Sequence, residues 1–159
     1  MWNSFNIIFL SIIVYLCIFV LKIFGFYDYT AKYDIQYLSA AKQENEVSFI
    51  LDNDLKTSWG YAFFEKAESV IAKFRKIKKI KEIIITNKDY KHEVFYLPKI
   101  NIYSAYDLNN WKLCNYKLTQ INEKHHYIFD SLCEGNFLKL EYANDDTGHW
   151  VISEIEIIE

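Results

Sequence analysis

Arginine is nearly missing from this chain: Arg75 is the only one, and lysine supplies the rest of the 18 Lys and Arg residues. Bidentate recognition of phosphates and base edges usually draws on guanidinium groups. The formal net charge is −3, so there is no general attraction to a polyanion either, and nucleic acid is not an expected partner. Glycine is scarce as well, four scattered residues in 159, which cannot build a nucleotide-cradling loop. There is no G-x-S-x-G elbow and no H-E-x-x-H pair. Three cysteines without a C-x-x-C make neither a disulfide framework nor a zinc site. Cys17 lies in an apolar run, and Cys114 and Cys133 can pair only if their strands are neighbours, which leaves the redox compartment open. His125-His126 is the only histidine pair, and adjacent strand residues point to opposite faces, so the two do not share a metal. A Cys133–His149 nucleophile and base is conceivable by residue type alone, with nothing in the spacing to favour it. The chain is therefore expected not to be an enzyme.

Aromatic residues are abundant, 18 % of the chain, and Ile, Val, Tyr and Phe recur in short runs that favour strands. The exception is Ile7 to Phe26, apolar apart from Ser11, Lys22 and Gly25. At ~1.5 Å per residue a helix of that length crosses a ~30 Å hydrocarbon core. Trp2, Tyr27 and Tyr29 suit its two interfaces, and no small-x-small cleavage site follows it. Residues 1–27 are accordingly read as one N-terminal transmembrane anchor, which makes the bilayer a partner. Residues 28–46 are a linker in which Tyr33 to Leu38 is either a first strand or an unstructured tether, and 47–159 form the folded domain.

Within that domain Val47 to Ile50 reads as a short β run, and Ser69 to Phe74 as a strand. A lysine-rich turn then leads to a buried strand, Ile80 to Thr86. The basic run Lys73 to Lys81 is either a solvated edge or a contact for anionic lipid or an acidic glycan. Asn87 to Glu93 is turn-like, Pro98 opens the strand Lys99 to Ser104, and Asp107 to Asn110 is a turn. Trp111 to Leu118, Tyr127 to Asp130, Phe137 to Tyr142 and Trp150 to Ile157 complete the strands. Short strands with turn signals and no long amphipathic helix imply an all-β sandwich.

One stretch organises the rest: Leu51-Asp52-Asn53-Asp54-Leu55-Lys56-Thr57-Ser58-Trp59. Asp and Asn compete for local backbone hydrogen bonds, so Leu51 to Thr57 should be a compact turn. Hard cations such as calcium favour oxygen-rich turns of this type, although such turns also close on their own backbone without any metal. Paired with the terminal Trp150-Val151-Ile152-Ser153-Glu154-Ile155-Glu156-Ile157, it resembles the discoidin (coagulation-factor type C) family of galactose-binding-like domains. In that family an early "LDGD…T.W" segment pairs with a closing "W…SEI.I" strand. The version most similar is the translocation or glycan-binding module attached to streptococcal NAD glycohydrolases.

The resemblance implies a galactose-binding-like jelly-roll β-sandwich and a non-catalytic adhesion or binding role. Its ligand would be carbohydrate or another cell-surface ligand, and the alternative is an assembly module docking on a membrane or envelope protein. It also implies a structural calcium tying the early turn to the last strand. Carried over, its ligands are the Phe49 carbonyl, Asp52, Asp54, Thr57 and Glu154. Asn53 replaces the family's usual glycine, and asparagine tolerates the left-handed backbone. Period-2 geometry puts Val151, Ser153, Ile155 and Ile157 on one face and Glu154 on the other. Candidate ligand contacts are Tyr61, Phe63, Tyr90, His92 and Trp111; the rings after Gly60 either stack on sugar or close the core. The resemblance favours an extracytoplasmic domain, whereas Lys22 and Lys32 on one flank favour the cytoplasm by charge bias. The extracytoplasmic side is the expectation carried forward.

Overall fold

Two long antiparallel strands carry the architecture of the computed structural model, which describes residues 32–40, 44–64, 68–87, 99–143 and 148–159. Of residues 45, 61–64 and 148–149 only the backbone is described. The transmembrane anchor expected over 1–27 lies outside the described residues, among which no helix is long and apolar enough to cross a membrane. β1 (Ile35–Ala40) is followed by a 3-10 helix (Glu44–Leu51), β2 (Trp59–Phe64) and β3 (Ser69–Thr86). Then come β4 (Ile100–Ala105), β5 (Lys112–Leu113), β6 (Tyr116–Ile121), β7 (Lys124–Tyr142), β8 (Gly148–Ile152) and β9 (Glu154–Ile158).

β3 and β7 pair along their whole length, but each half has different neighbours. The first half of β3 pairs with β1 and with the second half of β7, giving the order β1-β3-β7-β4-β5. The second half of β3 pairs with β9 and the first half of β7, which pairs with β6. Between the halves the register slips twice: Phe74 to Ile77 stand opposite Asn136 alone, and Phe129 to Leu132 opposite Lys81 alone. Extra residues in one strand of a pair bend it and raise its twist. The sheet therefore folds over, and Ile155 and Ile157 of β9 line one void of about 20 Å³ with Val70, Ala72, Leu138 and Leu140. β2 and β8 form a separate two-stranded sheet. Its Trp59 and Trp150 rings meet edge to face at 5.4 Å, and Tyr142 of β7 lies 6.2 Å from Trp150.

The all-β sandwich follows the sequence expectation, with four local differences. Val47 to Ile50 is helical, because Val47, Ile50 and Leu51 are spaced to share one buried face, while Ser48 is exposed. The expected lysine-rich turn is a bulged, continuous stretch of β3, since Lys78 to Ile80 regain partners in β7. Trp111 to Leu118 is interrupted at Cys114 and Asn115, and Cys114 is disulfide-bonded to Cys133 with Cα atoms 5.5 Å apart. Lastly, the closing strand breaks at Ser153 into β8 and β9, which belong to different sheets. The break shifts the alternation: Trp150 and Ile152 are buried before it, Ile155 and Ile157 after it, and Val151 does not share their face. The stretch left open between strand and tether contains β1, hydrogen-bonded to β3 after a left-handed Asp34.

Candidate functional site

The acidic turn follows the 3-10 helix and is held first by its own side chains. Asp52 Oδ1 accepts from the Asp54 N–H at 2.9 Å, and Asp54 Oδ1 accepts from the Lys56 N–H at 2.9 Å. The Thr57 hydroxyl lies 2.7 Å from Asp52 Oδ2 and 2.8 Å from the Asp54 carbonyl, and its single proton serves one of them at a time. Asn53, at φ 57°, takes the left-handed conformation that the turn requires. Its N–H then donates 2.8 Å to Glu154 Oε2 across 101 residues of chain. Lys32 Nζ donates to Asn53 Oδ1 at 3.1 Å and adds a positive charge beside the pair.

Glu154 is buried at the first position of β9, with its second oxygen, Oε1, lacking any hydrogen-bond partner. Burial is the main cause that pushes its carboxyl up to about 7; Asn53 N–H and Lys32 oppose the rise, and Asp52 and Glu156 add to it. Asp52, Thr57 and Glu154, with the Asp54 carbonyl, thus gather oxygen donors between the turn and β9. That donor chemistry suits a hard cation. Acidic side chains alone do not make the site: no three His, Cys, Asp or Glu among the described residues are placed to hold a metal. Asp54 meets the turn through its backbone oxygen, its carboxylate being turned to Lys56. Phe49 lies in the 3-10 helix just before the turn.

Of the candidate ligand contacts, only Trp111 has a described side chain. Tyr90 and His92 lie outside the described residues, and Tyr61 and Phe63 are placed by backbone only, in β2 of the two-stranded sheet. Trp111 stands in the connection just before β5, edge to face with Phe137 of β7 at 6.3 Å. Lys139 Nζ lies 4.3 Å from the Tyr103 ring centre and 5.1 Å from that of Trp111. It also donates 2.7 Å to Glu141 Oε2, while the Tyr103 hydroxyl donates 3.2 Å to Glu141 Oε1. Sequence reasoning passed over Tyr103, Phe137 and Lys139. The available signal was the strand Phe137 to Tyr142, where Phe137, Lys139 and Glu141 share the phase opposite to the buried Leu138, Leu140 and Tyr142.

Other sequence candidates resolve simply. Much of the charge on the basic run is matched: Lys78 to Glu159 at 2.6 Å, Lys79 to Glu134 at 3.8 Å, Arg75 to Asp34 at 3.9 Å. Lys81 donates to the Glu159 main-chain oxygen at 2.8 Å. His126 Nδ1 lies 2.5 Å from Glu82 Oε1, whereas the neighbouring His125 is buried, and burial holds its pKa below the usual value. Cys133 is in the disulfide, so no thiolate is available to pair with His149.

No family model matches the sequence, and no curated protein does. Solved structures do match the fold. The family 32 carbohydrate-binding module (CBM) of Clostridium perfringens NanJ in complex with galactose superposes with a TM-score of 0.63. Its identity is 19 %, over 80 % of this chain and 96 % of that one. The Clostridium perfringens module CpGH89CBM32-5, in complex with GalNAc-β-1,3-galactose, gives 0.61 at 14 % identity, over 77 % and 94 %. The CBM32 of AlyQ in complex with 4,5-unsaturated mannuronic acid gives 0.60 at 14 % identity, over 79 % and 96 %. At such identities the likeness is one of fold: this chain has the β-sandwich of family 32 modules, the galactose-binding-like fold.

Proposed function

We infer that this protein is a non-catalytic glycan-binding module held at a membrane by its N-terminal segment, with the domain on the extracytoplasmic side. The observation that carries the reading is coverage. The likeness takes in 94–96 % of three solved modules, two of them complexed with galactose-containing sugars, so the unit matched is a whole binding domain. By its closing strand the domain would be of the type attached to NAD glycohydrolases. The disulfide supports the oxidising side of a membrane, where such bonds persist. Tyr61, Phe63, Tyr90 and His92 are the proposed sugar contacts, with aromatic rings serving as stacking platforms. Trp111, packed against Phe137 of β7, would serve a separate surface.

A structural calcium belongs to this proposal. Asp52, Thr57, Glu154 Oε1 and the Asp54 and Phe49 carbonyls would hold it, and its charge would offset that of the buried Glu154 carboxylate. Its role would be to fasten the early turn to β9 and so steady the loops beyond.

A glycan array probed with the full chain in detergent tests the function. Retention on galactose- or GalNAc-terminated glycans is the expected result. A folded protein that binds no sugar, yet recovers one protein partner from crosslinked membranes, would replace the lectin reading with the assembly reading.

A further inference from the structure

We propose that the outer face of the β1-β3-β7-β4 sheet carries a second, independent site, which takes the carboxylate-bearing pyranose of an acidic glycan and uses Lys73 as its cation. A groove of about 580 Å³ runs there between β1, β3, β7 and the loop after β4. That is ample for a sugar residue or two, within the ~300–1,000 Å³ usual for ligand clefts. Tyr37 and Leu108 form its sides and are 52 % and 58 % exposed; Ile71 and Phe137 form its floor. Gln36 offers an amide at the rim. Large apolar side chains grouped in a concave, solvent-facing strip commonly mark a contact surface.

Lys73 decides what that surface can hold. Its ammonium lies 5.7 Å from the Phe137 ring centre, and no carboxylate among the described residues is within ion-pair distance of it. The contrast is with Lys78, Lys79, Lys124 and Lys139, each of which has a carboxylate at 2.6–3.8 Å. A purely apolar partner would have to strip water from this charge without compensation. A phosphate group would favour a guanidinium fork, and the one arginine is already beside Asp34. A neutral hexose would leave the ammonium unused. A uronic or sialic acid residue satisfies all three features: its carboxylate meets Lys73, an apolar ring face lies on Tyr37, and hydroxyls reach Gln36.

The test is calorimetric titration of the full chain in detergent with digalacturonate, with its methyl ester and with 3′-sialyllactose. One acid is expected to bind, and which one identifies the source of the carboxylate. Esterification, Lys73→Met and Tyr37→Ala are each expected to weaken that binding about tenfold, the usual loss when one charged or ring contact is removed. The melting temperature and the retention of neutral galactosides should stay unchanged, which separates this site from the loop site proposed above. Failure of the folded wild type to bind either acid, equal binding of acid and ester, or indifference to both substitutions would overturn the proposal.

Discussion

Two carboxylates paired at opposite ends of β3 live very differently. Glu141, on the outer face of β7, has both oxygens occupied, one by the Tyr103 hydroxyl and one by Lys139. Glu154, at the head of β9, is buried with one oxygen on the Asn53 N–H and the other on nothing. The first is a part-buried network in which the lysine charge and two hydrogen bonds compensate the carboxylate. The second is a charge taken out of water with half of its acceptor capacity unused, a costly arrangement unless a proton or a cation completes it. The lesson is that the two regions use acidity for different ends: the outer face neutralises it in place, with Lys73 lacking a carboxylate among the described residues, whereas the turn accumulates it.

The strongest way to disturb the comparison is to loosen the frame that holds both regions. Replacing both Cys114 and Cys133 by serine releases a closure spanning 19 residues, and chemical denaturation should show a loss of about 3 kcal/mol. Next comes Gly135, at the bend of β7, where an added Cβ would lie 2.5 Å from the Ala105 carbonyl oxygen. Gly135→Ala should cost about 2 kcal/mol, read from the same denaturation curves, because backbone on both sides has to move.

The Glu154 prediction sharpens the contrast itself. A carboxyl whose folded pKa lies near 7, above its ordinary value of 4.5, binds its proton more tightly when folded. Its contribution to stability is thus full below about 4.5 and is lost as pH rises through 7. Wild-type protein without calcium should therefore melt at a lower temperature at pH 8 than at pH 5, its stability being less by about 2 kcal/mol. Glu154→Gln should flatten that difference, and millimolar calcium should restore melting at pH 8 more than at pH 5. A melting profile insensitive to calcium at both pH values would remove the metal from the proposal. The smallest effect is at Asn53: Asn53→Ala should lose about 1 kcal/mol at its left-handed φ, and Asn53→Gly close to nothing.

Much of the turn was legible because its contacts are short in sequence. Asp52 to Asp54, Asp54 to Lys56 and Asp52 to Thr57 span two to five residues, and residue type alone implies them. The link to Glu154 was legible only through the resemblance, since nothing local in Ser153-Glu154-Ile155 announces a partner 101 residues away. The outer face was hidden for the same reason. Tyr37, Lys73, Tyr103, Trp111 and Phe137 come from distant strands and the connections between them; Trp111 and the basic run from Lys73 stood out singly as possible contacts, but nothing local shows which of these residues share a face.

Composition and alternation by themselves determined that this chain builds strands and that its early acidic stretch turns. Those properties follow from side-chain shape and local hydrogen bonding, which a neighbour-by-neighbour reading captures. Tertiary structure alone decided that the lysine-rich segment is a bend rather than a turn, that Ser153 passes the chain from one sheet to another, that Cys114 meets Cys133, and that Lys73 has no carboxylate beside it among the described residues. Each depends on which strands end up side by side, and pairing between segments far apart in the chain is set by how the whole core closes.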